Sequence, residues 1–170
     1  MNPFLPAVNQ KLYFCDLLLH QIDRDQTHVV GPAANLQLAL CQSALFQLEA
    51  AYRLYLREVA TTYRHRAAET ISSVGELIAA MASIGQSPSE AGELANLEAD
   101  KGSWLANMLN ARDRLLEVCP QEVANAASPI AVVQIEPGED RRELSADVLN
   151  GWLEAFRSII ERHREHMVEC

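Results

Sequence analysis

The sequence predicts an all-α fold: an up-and-down helical bundle of four to five main helices, with a short extended segment before the last helix. Three observations predict it. Apolar residues recur at steps of three and four over long stretches, the spacing of one helical face. Alanine and leucine dominate a hydrophobic fraction of 49%, and seven glycines and seven prolines are too few for a turn-rich β protein. Two Ser-x-x-Glu stretches, Ser73 to Glu76 and Ser87 to Glu90, stand just before apolar runs, as capping boxes do. A chain of 170 residues is read as one domain, 1–170, long enough to bury a core without disulfides.

The first helix is expected from about Leu5 to Asp23, because Val8, Leu12, Cys15, Leu19 and Ile22 step by four and three. The polar stretch "DRDQTH" and Gly31-Pro32 then interrupt, and Pro32 suits the first turn of the next helix. The second helix carries the strongest periodicity, expected over about Ala33 to Tyr63. Leu38, Cys41, Leu45, Leu48, Tyr52, Tyr55 and Val59 form an unbroken seam. Leu36, Leu40, Phe46, Leu54 and Leu56 widen it beyond a two-stranded zipper, which argues for a bundle interior.

A third helix follows from Ser73, capped by "SVGE" and stopped by Gly85. A fourth helical region opens at "QSPSEAGELANL", with Ser87 as cap, Pro88 in the first turn and Glu90 reaching back. It runs to Cys119-Pro120, and Gly102-Ser103 can kink or split it. Residues 121–143 lose the helical period. Ile130 to Ile135, between two prolines, reads as an extended segment or short strand lying over the bundle, whose pairing strand would have to come from a partner. The last helix starts near Ser145. Its apolar stripe comprises Val148 or Leu149, Trp152, Phe156, Ile159 or Ile160, His163 and Met167.

Charge and motifs narrow the function classes. The net charge is −9 and the pI about 5.0, a balance that disfavours nucleic acid, since phosphate contacts need a positive field. No signal peptide and no run of about 18 apolar residues appears, so a cytoplasmic chain that does not cross a membrane is expected. Cys15, Cys41, Cys119 and Cys170 are widely spaced and read as reduced thiols. Cys15 and Cys41 fall on apolar seams and should be inert. No glycine-rich phosphate loop, no G-x-S-x-G and no H-E-x-x-H occurs, and no cofactor is expected.

The candidate chemistry concentrates in "RSIIERHREHM", residues 157–167. Arg157 and His163, with five residues between them, resemble the Arg-to-His spacing of HEPN-type RNases and nucleotidyltransferase partners. That resemblance implies an arginine holding phosphate charge and a histidine moving a proton. Chance alone gives about one such spacing in a chain with this many arginines and histidines. His163, His166 and Cys170 fall at i, i+3 and i+7 and are zinc-ligand types, with a fourth ligand to come from His20, His28 or His65. A di-iron bundle needs Glu-x-x-His; the residues three before each histidine are Leu17, Asp25, Thr62, Ile160 and His163, so that reading is rejected. The plainer reading is that the basic residues complement a helix C-terminus and His163 belongs to the apolar stripe. "YRHR", Tyr63 to Arg66, is a second basic cluster, read first as a match to the helix dipole and otherwise as a seat for a phosphate or an acidic partner.

"SALFQLEAAYRLYLREVA" and "DKGSWLANMLNARDRLL" together resemble an uncharacterised bacterial family of short, all-helical proteins. The resemblance spans most of the chain and implies a helical fold with no activity attached. The functional expectation is therefore a non-enzymatic cytoplasmic interaction or structural protein. Its expected partner is a second copy of itself or another protein. The HEPN-type reading and the metal-binding bundle are the alternatives.

Overall fold

The structure is a computed structural model that describes residues 2–24, 32–117 and 144–168. Among the described residues there are six α-helices: α1 (Phe4–Arg24), α2 (Pro32–Thr62), α3 (Val74–Ser83), α4 (Ser89–Ala99), α5 (Trp104–Leu116) and α6 (Ala146–Val168). A 3-10 turn, Ala68–Thr70, links α2 to α3. No strand occurs among the described residues; the expected extended segment, 130–135, lies outside them, as do Cys119 and Pro120.

The helix count exceeds the expected four to five because the fourth region divides. Asp100 Oδ1 accepts the Gly102 N–H at 2.9 Å, and Ser103 N–H bonds the Asp100 carbonyl at 2.9 Å. Ser103 Oγ then accepts the Ala106 N–H at 3.0 Å and caps a new helix. The turn side chains compete successfully with the continuing helix.

α2, about 46 Å long at 1.5 Å per residue, is the axis of the fold. Contacts along it set the directions of its neighbours. Asn2 Nδ2 donates to the Glu58 carbonyl at 2.8 Å and to Thr62 Oγ1 at 3.1 Å, so α1 runs antiparallel to α2. Phe156 packs on Tyr52 and Arg164 reaches Glu58, so α6 runs parallel to α2. Tyr63 meets Glu90 and Tyr52 meets Glu98, so α4 is antiparallel to it. The result is the up-and-down bundle. Its core holds Leu45, Leu48, Tyr55 and Val59 of α2 between Cys15 and Leu19 of α1 and Phe156 of α6, all fully buried.

Several local expectations need correction. Leu36 and Phe46 are exposed and Leu38 only half-buried, so the inward face of α2 is narrower than its apolar face. On α6, Leu149 faces inward and Val148 outward; Leu153, missing from the expected stripe, is buried. Ser87 does not cap α4. Pro88 stands one residue before the helix and has no side-chain group to cap it; Glu90, rather than reaching back, turns inward and accepts the Tyr63 hydroxyl at 3.1 Å. At α3, Ser73 Oγ accepts the Glu76 N–H at 3.2 Å, while the Glu76 carboxylate bonds the N–H of Ser72 at 2.7 Å, one residue earlier than a capping box requires.

Candidate functional site

The α6 stripe carries His163 to the inner side of the bundle, where it is only 3% exposed. Two other helices meet it there. Tyr55 of α2 lies 2.8 Å from its Nδ1, and Glu93 of α4 lies 2.9 Å from its Nε2. An ionised carboxylate only accepts, so Nε2 carries the hydrogen; in the neutral ring Nδ1 then accepts from the Tyr55 hydroxyl. The three residues form one hydrogen-bonded chain, Tyr55–His163–Glu93. The Tyr55 and His163 rings lie nearly parallel, 23° apart with centroids at 6.0 Å, and Phe156 closes the other side edge-on at 5.7 Å.

Buried charges surround this chain. Glu58, 2% exposed, accepts two bonds from Arg164, from Nε at 2.7 Å and from Nη2 at 2.8 Å, a bidentate fork. Arg164 Nη1 continues to Asn9 Oδ1 of α1 at 2.9 Å. Arg162 pairs with Glu93, and Glu90 is buried against Tyr63. Burial pushes the Tyr55 hydroxyl well above the usual phenol range, and the carboxylates of Glu58 and Glu90 push the same way while Arg164 opposes. Glu93 goes the other way. Its partial burial raises it, but hydrogen bonds from His163 and Arg162 outweigh that and hold it below its usual value.

The arrangement fixes α6 against α2 and α4; Tyr55 and His163 are both covered, and Glu93 is its one partly exposed member. Arg157 does not join it. Its guanidinium is half-exposed and lies 3.5 Å from Asp16 on α1. The two residues of the Arg-to-His spacing thus have separate partners on separate helices. His166 is exposed, and Cys170 lies outside the described residues. Among the described residues no group of three His, Cys, Asp or Glu side chains is placed to hold a metal ion. Tyr52 donates to Glu98 at 2.6 Å beside an open cleft of about 310 Å³, which Arg53, Arg112 and Ser73 also line.

Sequence reasoning found His163 through its place on the stripe but missed Glu58, Glu93 and Glu90. The usable signal was spacing: Glu58 sits three residues after Tyr55, on the inward side of α2. Glu93 had no such signal, because its partner lies 70 residues away.

The model of a family of unknown function, DUF6586, matches residues 1–170. The chain belongs to that family. The match spans every helix described above, so the buried chain from Tyr55 to Glu93 lies within the family's extent, and the expectation of an uncharacterised family is met. No curated protein and no solved structure matches the chain. Among the described residues no helix is long and apolar enough to cross a membrane.

Proposed function

We propose that this member of the family is a non-enzymatic interaction protein whose partner is a second copy of itself, met through the outer face of α1. The observation that carries the proposal is a second helical stripe. Val8, Leu12, Cys15 and Leu19 fill the core, while Tyr13, Phe14 and Leu17 point away from it and are exposed. Gln10 and Gln21 extend that outer stripe, and Lys11 Nζ lies over the Phe14 ring, 5.9 Å from its centroid. On a chain of net charge −9, two copies repel over most of their surface. An aromatic stripe whose exposed members Tyr13, Phe14 and Leu17 carry no acid is where two acidic copies can meet.

The closed Tyr55–His163–Glu93 chain supports the non-enzymatic part of the reading, and the pairing of Arg157 with Asp16 weighs against the HEPN-type alternative. The buried free thiols of Cys15 and Cys41 support a reducing, cytoplasmic setting. Light scattering on the full chain tests the proposal. A dimer mass is expected at concentrations near about 100 µM, shifting to monomer in Leu17→Arg without loss of helicity. A monomer throughout that range, or a dimer indifferent to Leu17→Arg, sinks it.

A further inference from the structure

Arginines in this protein are rarely left alone. Arg53 pairs with Glu49, Arg57 donates to the Ile71 carbonyl at 2.8 Å, and Arg157, Arg162 and Arg164 reach Asp16, Glu93 and Glu58. Arg112 and Arg114 also have partners. Among the described side chains, two arginines have neither a hydrogen bond nor an ion pair: Arg64 and Arg66. Both are exposed, two residues apart, just past the end of α2. Between them stands His65, whose Nδ1 is buried without a partner. These belong to the "YRHR" cluster, of which Tyr63 meets Glu90 while the two arginines serve neither the buried site nor the α1 face.

The backbone there carries a second oddity. Arg64 has φ 61°, the left-handed conformation that a Cβ disfavours. It occupies the position after the helix where the Arg64 N–H bonds the Thr61 carbonyl and the His65 N–H bonds the Ala60 carbonyl, each at 2.9 Å. α3 ends in the same way, with matching bonds from Gly85 to Ala82 and from Gln86 to Met81. There the left-handed residue is Gly85, at φ 71°. The same turn is thus built once with the residue it prefers and once with an arginine. The helix dipole favours a cation near this end, yet the last turn of α2 contains no basic residue, where one would serve without strain. Strain held at an exposed, unpaired side chain is the pattern of a residue kept for what it binds.

We propose that Arg64 and Arg66 form a binding site for a small phosphate-bearing anion. Two guanidinium forks need more acceptor oxygens than one carboxylate has, whereas a tetrahedral phosphate presents enough for both. The carbonyls of Ala60 and Thr61, which would repel an anion, are already bonded by the N–H groups of the turn. The nearest acid along the chain is Glu69, exposed on the 3-10 turn. The site is compact and the chain carries a net charge of −9, which favours a small anion over a long polyanion.

The test is an amide and arginine side-chain NMR titration of the full chain with inorganic phosphate, against chloride at matched ionic strength. Saturable shifts confined to 64–66 are expected. Arg64→Gly should weaken them at least about ten-fold while the melting temperature holds or rises, because glycine relaxes the left-handed turn. Arg66→Gln should weaken them without changing the melting temperature. Glycerol phosphate in a parallel arm separates the sources: tighter binding than phosphate assigns the site to an organic phosphate, weaker binding to the free ion. Shifts equal to those with chloride, binding of a glutamate-rich peptide but not of phosphate, or a melting temperature that falls in Arg64→Gly overturns the proposal.

Discussion

Replacing His163 by Phe would keep a flat ring on the inner face of α6 and remove both ring nitrogens. The two losses are unequal. Glu93 is partly exposed and keeps Arg162, so water and a guanidinium cover its lost bond. Tyr55 is fully buried, and its hydroxyl has no other described hydrogen-bond partner. An orphaned buried hydroxyl costs about 1–3 kcal/mol, so His163→Phe is expected to lose that much stability. Tyr55→Phe orphans Nδ1 instead. The ring cannot turn to recover a partner while Nε2 holds Glu93, and a similar loss of about 1–3 kcal/mol is expected. The double variant removes both members of the bond. Its loss should fall short of the sum by about 1–2 kcal/mol, the coupling expected of residues in direct contact. Urea unfolding followed by circular dichroism reads these values, and in a chain of this size each kcal/mol moves the melting temperature by about 2–4 °C. Either single change costing under about 0.5 kcal/mol, or a double variant whose loss equals the sum, would refute the reasoning.

Two further predictions follow from the titrating groups. Glu93 is held below its ordinary value of 4.5, so it adds stability above that pH and loses it as pH falls through the lower folded value. The urea-midpoint difference between wild type and Glu93→Gln should therefore narrow on going from about pH 6 to about pH 3, and a constant difference would count against the pairing. Burial pushes the Cys15 thiol up to about 12, against an opposing pull from Arg157, and raises Cys41 as well. Both should resist a thiol reagent at about pH 8 and react only after unfolding; peptide mapping that finds either labelled in the native protein would show the seam to be open.

The parts of this fold that could be read in advance are those where one periodicity decides the outcome. From Cys41 to Val59 the steps of three and four admit a single inward face, and every seam position in that span is buried. The same rule gave too wide a face at Leu36 and Phe46, because apolar character reports preference for burial, not the presence of a neighbour. Capping was legible at Ser73, where the competing groups are adjacent in sequence. It failed at Ser87, where Glu90 was claimed by Tyr63, 27 residues earlier. The candidate site divides the same way. His163 could be singled out from its own helix, but Tyr55 is 108 residues and Glu93 70 residues away, and single-sequence spacing carries no information about such pairs. The left-handed turn at Arg64 was equally hidden, since nothing in "YRHR" announces a position that favours glycine.

The fork between Arg164 and Glu58 ties the order of synthesis to the completion of the core. α1 and α2 are adjacent in sequence, and their pairing closes a short loop. Glu58 belongs to that early pair, yet the cation it needs is made 106 residues later. A buried carboxylate without its partner costs about 3–5 kcal/mol. Until α6 returns, the Glu58 end of the hairpin must stay hydrated. Arg164 also holds Asn9, and Arg157 holds Asp16, so α6 runs back along α1 and its last turns arrive beside the beginning of the chain. α6, made after both, is therefore the helix that allows α1 and α2 to close dry.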